Sequence, residues 1–140
     1  MTFLNTTEMH IGVLPEQERQ LSDPRKIAWA CKQENVFAFD ILDGADLIGF
    51  AMLRRFASDS FFLWDYAIDY HFQNRGFGTK ALKELIIFLQ DEFGLRVMTT
   101  TYVFGNEQAK HMYESIGFVE TDVVDEPGCH EVNMSFEVLP

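Results

Sequence analysis

The sequence predicts a fold of the α/β (α+β) class, in which helices flank a mixed central sheet. Stretches of β-type residues alternate with helical patterns, glycine-containing turns separate them, and one aromatic stretch is typical of a strand buried on both faces. The 140 residues, 47% of them hydrophobic, suffice for one well-buried core and are too few for two ordinary domains. We therefore expect a single domain over residues 1–140.

The first half of the chain predicts one helix and one β-hairpin. Ser22-Asp23-Pro24 resembles a helix start, with a capping side chain followed by proline at an early helical position. Strands are predicted over residues 36–42 and 47–56, because a turn signal, Asp43-Gly44-Ala45-Asp46, separates two apolar runs. No convincing strand precedes Leu14, so the opening segment is expected to be shortened or rearranged.

The second half alternates strands and helices. Residues 61–70 are dense in aromatic side chains, which indicates a central strand. Apolar residues at helical spacing predict a helix that begins at Thr79 and stops at Gly94. The remaining predicted elements are a strand over residues 95–103, a helix over 107–115 capped by Asn106, and strands over 118–124 and 132–138.

Charge and composition exclude several classes of function. A formal net charge of −11 opposes binding to nucleic acid or to anionic membrane surfaces, which need clustered Lys and Arg. An acidic surface can instead concentrate a cationic substrate, or it can serve solubility alone. The apolar stretches are shorter than the roughly 20 residues that span a bilayer, and the N-terminus lacks the pattern of a secretory signal. We expect a cytoplasmic protein without membrane association.

The residues that commonly bind metals are scattered along the chain. Cys31 and Cys129 have no Cys-x-x-Cys partner, and the four histidines show no spacing that would place two ligands on one helical face. The sequence therefore predicts no metal site.

The segment between the aromatic strand and the long helix has the composition of an anion-binding loop. It reads Gln73-Asn74-Arg75-Gly76-Phe77-Gly78-Thr79-Lys80. Glycines let the main chain approach an anion, and a helix start presents unpaired N–H groups at the positive end of the helix dipole. Arg75 and Lys80 add positive charge. We therefore expect these eight residues to bind a pyrophosphate group.

Two other phosphate-binding motifs fit this segment less well. Gly76-x-Gly78-x-x-Ala81 also matches the dinucleotide fingerprint. However, the following strand carries no acidic residue at its end to hold a ribose, and the remaining chain is too short for a full dinucleotide domain. The Gly-x-x-x-x-Gly-Lys-Ser/Thr spacing of a P-loop is absent.

Two motifs together resemble the GNAT superfamily of N-acetyltransferases. Gln73-x-x-Gly76-x-Gly78 is similar to the family's coenzyme A signature, Gln/Arg-x-x-Gly-x-Gly/Ala. Residues 106–118, Asn-Glu-Gln-Ala-Lys-His-Met-Tyr-Glu-Ser-Ile-Gly-Phe, resemble its downstream Asn-x-x-Ala-x-x-x-Tyr-x-x-x-Gly-Phe. The resemblance implies a GNAT-like acyl-CoA-binding fold and direct transfer of an acetyl group from acetyl-CoA to a primary amine in a ternary complex.

The acceptor is indicated less sharply. Residues 63–69, Leu-Trp-Asp-Tyr-Ala-Ile-Asp, look most like the polyamine and diamine acetyltransferases, which implies a small cationic amine as substrate. Acetylation of an aminoglycoside or of a protein N-terminus stays open, as does a non-catalytic module that binds or senses acyl-CoA. The family's habit suggests a homodimer, although the sequence shows no interface.

The resemblance also implies roles for individual residues. A primary amine must lose a proton before it attacks, and the departing thiolate gains from a nearby proton donor. Tyr113 matches the family's tyrosine and is the candidate donor, although it lies on an apolar helical stripe that also suits the core. Asn106 is a helix cap and a candidate cofactor ligand. The backbone of Ala67 and Ile68 is implied to pair with the pantetheine arm like an added strand.

Asp65 is the candidate residue for recognising or deprotonating the amine. A carboxylate within an aromatic and apolar run is costly to bury unless it is paired or used. The alternative is that Asp65 points to solvent or pairs with Arg54 or Arg55 across the hairpin. Further candidates for the acceptor pocket are an aromatic wall, Trp64, and two weaker carboxylates, Asp69 and Glu131.

Overall fold

The computed structural model describes residues 1–139, over which seven strands form one sheet flanked by helices. The strands are β1 (Thr2–Asn5), β2 (Val36–Asp43), β3 (Asp46–Ala57), β4 (Ser60–Ile68), β5 (Val97–Val103), β6 (Val119–Glu126) and β7 (Cys129–Glu137). The helices are α1 (Pro15–Glu18), α2 (Pro24–Ala30), α3 (Phe77–Phe93) and α4 (Glu107–Ile116). The strand order is β1-β2-β3-β4-β5-β7-β6, and β4 and β5 are parallel. The predicted α/β (α+β) class with a mixed sheet is confirmed.

Apolar clusters on the two faces of the sheet hold the helices in place. On one face, α3 buries the stripe that its helical spacing predicted, and α4 packs beside it. On the other face, Ile27 and Ala30 of α2 lie against Phe50 and Met52 of β3. Each large side chain buried in this way stabilises the fold by roughly 1.5–3 kcal/mol. The helices on both faces therefore hold the central strands of the sheet in place.

β1 corrects the expectation that no strand precedes Leu14. It pairs antiparallel with β2, and Phe3 packs against Phe39 and Phe88 of the core. An edge strand of four residues with one inward side chain is too short to show the alternation by which strands are recognised. The other predicted elements are present, with boundaries within three residues of those expected, and α1 is an additional single-turn helix.

A β-bulge in β4 determines the face of the sheet on which Asp65 lies. Met52 pairs with Asp65 and Leu53 pairs with Leu63, so Trp64 is an extra residue without a partner on β3. Trp64 packs on the face that α2 covers, and Asp65 accepts a hydrogen bond from the N–H of Ser22 just before α2. The bulge therefore brings two consecutive side chains to the same face of the sheet.

Candidate active site

β4 and β5 pair only at their beginnings and then separate. Their parallel ladder joins Ser60–Phe62 to Val97–Thr99. At the next position the Thr100 hydroxyl, rather than a backbone N–H, donates to the Leu63 carbonyl at 3.1 Å. Beyond this point the two strands border a cleft of about 830 Å³, a volume typical of small-molecule sites.

The cleft brings most of the predicted site residues together. Its lining includes Trp64, Asp65, Ala67, Ile68, Gln73, Asn74, Gly78, Asn106, Tyr113 and Glu131. Five residues of the predicted phosphate loop lie outside this lining: Arg75, Gly76, Phe77, Thr79 and Lys80. Asp69 also lies outside it, which corrects its assignment to the acidic pocket, because its carboxylate accepts hydrogen bonds from the N–H groups of Gly12 and His71.

The start of α3 has the geometry of an anion-binding site. Gly76 precedes the helix with a φ of 82°, a left-handed conformation that glycine adopts without strain. The N–H of Lys80 donates to the Gly76 carbonyl at 3.2 Å, whereas the N–H groups of Phe77, Gly78 and Thr79 have no acceptor within residues 1–139. Three free donors at the positive end of a 17-residue helix fit a pyrophosphate group.

Gly78 permits a close approach between α3 and α4. A Cβ atom at this position would lie 3.2 Å from Met112 Sδ and 3.7 Å from Ile68 Cγ1. The Gly78 carbonyl also accepts a hydrogen bond of 2.5 Å from the Tyr66 hydroxyl. A small residue is therefore needed here because the helix start is packed between β4 and α4.

Gly78→Leu is expected to weaken coenzyme A binding by about tenfold or more, because a branched side chain must displace Met112 and shift the free N–H groups. Isothermal titration with coenzyme A measures the change. Gly78→Ala is the matched control, since the flexible end of Met112 can yield to one methyl group. Unchanged affinity in the leucine variant would exclude the start of α3 as the phosphate site.

The Gln73 side chain is engaged within the protein. Its Nε2 donates to the Ile68 carbonyl at 2.9 Å and to Gln17 Oε1 at 2.8 Å, and its Oε1 accepts from Gln17 Nε2 at 3.0 Å. Gln73 therefore holds the loop against the end of β4. The carbonyl that accepts the Gln73 hydrogen bond belongs to Ile68, whose backbone is expected to pair with pantetheine.

Tyr113 is both a core residue and a cleft residue, the two positions that the sequence left open for it. It is 7% exposed, and its ring lies 5.3 Å from that of Phe118, as in a core residue. It also borders the cleft, beside the Thr100 hydroxyl where β4 and β5 separate. Burial raises the pKa of the phenol, while the polar side chain of nearby Thr100 lowers it. The phenol therefore keeps its proton at neutral pH and is a potential donor.

Tyr66 is a cleft residue that the sequence reasoning did not select. Its ring belongs to the core face of β4, and its hydroxyl reaches the first turn of α3. Burial raises its pKa well above the ordinary value, and the neighbouring Tyr113 raises it further. Within an aromatic-rich strand no sequence signal distinguishes this tyrosine from an ordinary core residue.

Asp65 is buried, with 3% of its surface exposed. Oδ1 accepts a 3.0 Å hydrogen bond from the Ser22 N–H, and Oδ2 has no partner within the described residues. Burial raises the pKa of the carboxyl group, while Ser22 and the charge of Lys26 lower it. An unpaired buried acceptor costs about 1–3 kcal/mol. A ligand that donates a hydrogen bond to Oδ2 would remove this cost.

Neither structural alternative for Asp65 holds. The carboxylate does not point to solvent, and neither Arg54 nor Arg55 bonds to it. Arg55 instead donates from Nε to the Ser58 carbonyl at 3.0 Å and from Nη2 to the Phe93 carbonyl at 3.1 Å. The β-bulge explains the difference, because it turns Asp65 away from these arginines and toward α2.

The remaining predicted residues lie around the same cleft. The Lys26 ammonium group lies 5.5 Å from the centre of the Trp64 ring, a cation–π contact. Asn106 caps α4 by accepting from the Ala109 N–H at 3.2 Å, and its Nδ2 donates to Gln20 Oε1 at 2.7 Å. Glu131 pairs with Val103 in the β5–β7 ladder and borders the cleft opposite β4.

Residues 1–139 contain no group of three or more His, Cys, Asp or Glu side chains placed to hold a metal ion. None of their helices has the length and apolar character needed to cross a bilayer.

Comparison with solved structures finds the same fold in several acetyltransferases. A GNAT family acetyltransferase from Elizabethkingia anophelis with acetyl-CoA bound is 18% identical, with a TM-score of 0.72, over 98% of this chain and 97% of that chain. A mutant spermidine N-acetyltransferase from Vibrio cholerae is 19% identical, with a TM-score of 0.69, over 81% and 72%. The ribosomal-protein-S18-alanine N-acetyltransferase from Escherichia coli is 22% identical, with a TM-score of 0.69, over 83% and 77%.

The sequence comparisons identify the family. No curated protein sequence matches the chain significantly. The model of the acetyltransferase (GNAT) family, however, matches residues 4–118, which include β4, the start of α3 and α4. The chain therefore belongs to the acetyltransferase (GNAT) family and is an N-acetyltransferase that uses acetyl-CoA as co-substrate.

Proposed function

We propose that the acceptor is a primary amine of a small cationic molecule, with a polyamine or diamine as the leading class. The observation that carries this proposal is the unpaired Oδ2 of Asp65, a buried carboxylate oxygen at the cleft. A substrate ammonium group supplies the charged donor that this oxygen lacks, and charge-assisted hydrogen bonds are the strongest that such a group forms. Glu131 and Glu16 add carboxylates to the cleft, and Trp64 forms an aromatic wall.

The cofactor half of the site is proposed to lie at α3 and α4. The N–H groups of Phe77, Gly78 and Thr79 hold the pyrophosphate, with Asn74, Arg75, Gly76 and Lys80 shaping and charging the loop. The backbone of Ala67 and Ile68 and the Asn106 side chain bind the pantetheine arm, and Gln73 supports the loop. Acetyl-CoA supplies the thioester whose acetyl group is transferred.

Asp65 and Tyr113 are the proposed catalytic pair. Asp65 orients the ammonium group of the acceptor and helps to remove its proton. Tyr113, whose raised pKa keeps the phenol protonated, donates a proton to the departing thiolate. The deprotonated amine attacks the thioester carbonyl directly in a ternary complex, and the C–S bond then breaks to release the thiolate that Tyr113 protonates, so no covalent intermediate forms on the protein.

A protein N-terminus is the second candidate acceptor. The structural similarity to the ribosomal-protein-S18-alanine N-acetyltransferase supports it, although 22% identity shows the shared fold and not the substrate. The cations Arg19 and Lys26 at the cleft also suit an acceptor that carries peptide carbonyl groups. We further propose that the chain is one domain, acts in the cytoplasm and forms a homodimer, as the sequence and its family resemblance suggest.

Thiol release from acetyl-CoA, measured against spermidine, spermine, putrescine, an aminoglycoside and a short peptide, tests the acceptor class. The proposal predicts turnover with the polyamines and little with the peptide. Preferential turnover of the peptide would replace the polyamine proposal with the second candidate. Coenzyme A binding without thiol release from any of these amines would favour a non-catalytic module.

A further inference from the structure

Residues 14–22 pass along the cleft without an apolar anchor in α1. Leu14, Glu16, Gln17, Arg19, Gln20, Leu21 and Ser22 all border the cleft. The helical turn α1 within this segment buries none of its side chains. We call residues 14–22 the strap. Within the strap, α1 is held by polar contacts rather than by buried apolar side chains.

Three polar contacts join the strap to three of the predicted site residues. Gln17 exchanges two hydrogen bonds with Gln73, at 2.8 and 3.0 Å. Gln20 Oε1 accepts from Asn106 Nδ2 at 2.7 Å. The Ser22 N–H donates to Asp65 Oδ1 at 3.0 Å. Six consecutive residues thus reach the phosphate loop, the start of α4 and the acceptor carboxylate.

The contact between Gln17 and Gln73 belongs to a continuous hydrogen-bond network. The Leu14 N–H donates to Gln17 Oε1 at 3.1 Å, and Gln73 Nε2 donates onward to the Ile68 carbonyl. Both amide oxygens and both hydrogens of Gln73 Nε2 therefore have partners. A connected network of this kind fixes side-chain orientation more firmly than its separate bonds would.

The contact between Gln20 and Asn106 fixes the orientation of the asparagine amide. Oδ1 of Asn106 accepts from the Ala109 N–H while Nδ2 donates to Gln20. An amide NH₂ group has two hydrogens, so one donor of Asn106 remains for a ligand. Loss of Gln20 would leave the hydrogen bond from the Ala109 N–H to Asn106 Oδ1 in place, but Asn106 Nδ2 would no longer be held in one orientation.

We propose that Gln17 and Gln20 are positioning residues for acetyl-CoA, through which the strap on the acceptor side orders the two cofactor-side residues Gln73 and Asn106. This inference rests on the proposed cofactor site at the starts of α3 and α4. It makes cofactor affinity depend on a segment that contacts Asp65 and contributes no residue to the phosphate loop.

Isothermal titration of coenzyme A into the full chain, without any amine, tests the proposal. Gln17→Ala and Gln20→Ala should each weaken binding by about fivefold, the equivalent of one ordinary hydrogen bond of about 1 kcal/mol. Gln33→Ala is the matched control, because Gln33 is an exposed glutamine outside the cleft lining. Gln20→Glu keeps an oxygen acceptor for Asn106 Nδ2 and should retain affinity within about twofold of the unaltered chain.

Steady-state kinetics give a second readout. Both alanine variants should raise the KM for acetyl-CoA while kcat at saturating cofactor changes less than twofold, as expected when only binding is affected. Unchanged coenzyme A affinity in both would show that the contacts merely hold the strap. Tighter binding would show that the strap competes with the cofactor, and either result overturns the proposal.

The Gly78→Leu variant separates this failure from failure of the cofactor site itself. If Gly78→Leu loses affinity while Gln17→Ala and Gln20→Ala do not, the site at α3 stands and the positioning role is wrong. If all three bind coenzyme A like the unaltered chain, the assignment of the cofactor site is wrong.

Discussion

Replacing Asp65 with asparagine is expected to lower kcat/KM for a polyamine by at least about 30-fold, through a higher KM for the amine and a lower kcat. The buried carboxylate has one oxygen without a protein partner, and an ammonium group that pairs with it would lose a charge-assisted contact of roughly 2 kcal/mol or more. Coenzyme A affinity should stay within about twofold, because the proposed cofactor contacts do not include Asp65. Asp91→Asn, an exposed change on α3, is the matched control.

The same substitution should not destabilise the fold. A carboxyl group whose pKa is raised by folding binds its proton more tightly in the folded chain, so its contribution to the free energy of unfolding falls as pH rises through that range. At neutral pH the asparagine variant should therefore unfold at the same temperature or higher. Lost activity with lower thermal stability would indicate a structural role for Asp65 instead.

The pH dependence of the amine KM gives an independent check on Asp65. The proposal needs the carboxylate, so the KM should rise as pH falls through a pKa that lies above 3.8. The Asp65→Asn variant should lack this transition while its cofactor KM follows the same pH dependence as the unaltered chain. An identical transition in both proteins would assign the titration to another group.

Tyr113→Phe is expected to lower kcat by about 100-fold, since general acid catalysis typically contributes 10²–10⁴-fold. Removing one hydroxyl leaves the ring contact with Phe118 in place, so the helix should remain packed. Coenzyme A affinity should change by less than about twofold. Rapid assays of thiol release at saturating acetyl-CoA and amine measure the effect.

Two other tyrosines make the test of Tyr113 specific. Tyr70→Phe alters a half-exposed tyrosine outside the cleft and should retain full activity. Tyr66→Phe removes the hydrogen bond to the Gly78 carbonyl and should act mainly through the KM for acetyl-CoA. Full turnover by Tyr113→Phe would leave this residue with a packing role only.

The elements with long periodic patterns could be predicted from the sequence. α3 has several turns of apolar residues on one face, and β4 has aromatic residues on both faces. In each element many residues contribute to the pattern that predicts its burial. β1 and α1 have four residues each, and α1 buries none of them. Elements this short depend on tertiary contacts that local pattern does not encode.

The candidate site was predictable where it follows local motifs. The glycine loop before α3 and the Asn106 cap both lie in short segments whose chemistry is readable from neighbouring residues. The burial of Asp65 was not, because it depends on a bulge that shifts the β3–β4 register at Trp64. The Gln17–Gln73 contact joins residues 56 positions apart, and no spacing rule relates them.

Mass spectrometry of the products from one reaction tests the central claim most directly. The reaction contains acetyl-CoA with equal concentrations of spermidine, putrescine, an aminoglycoside and a short peptide. The account predicts that an N-acetylated polyamine accumulates first and that Asp65→Asn suppresses this product by at least about 30-fold. Accumulation of acetylated peptide instead, at a rate that Asp65→Asn leaves unchanged, would contradict it.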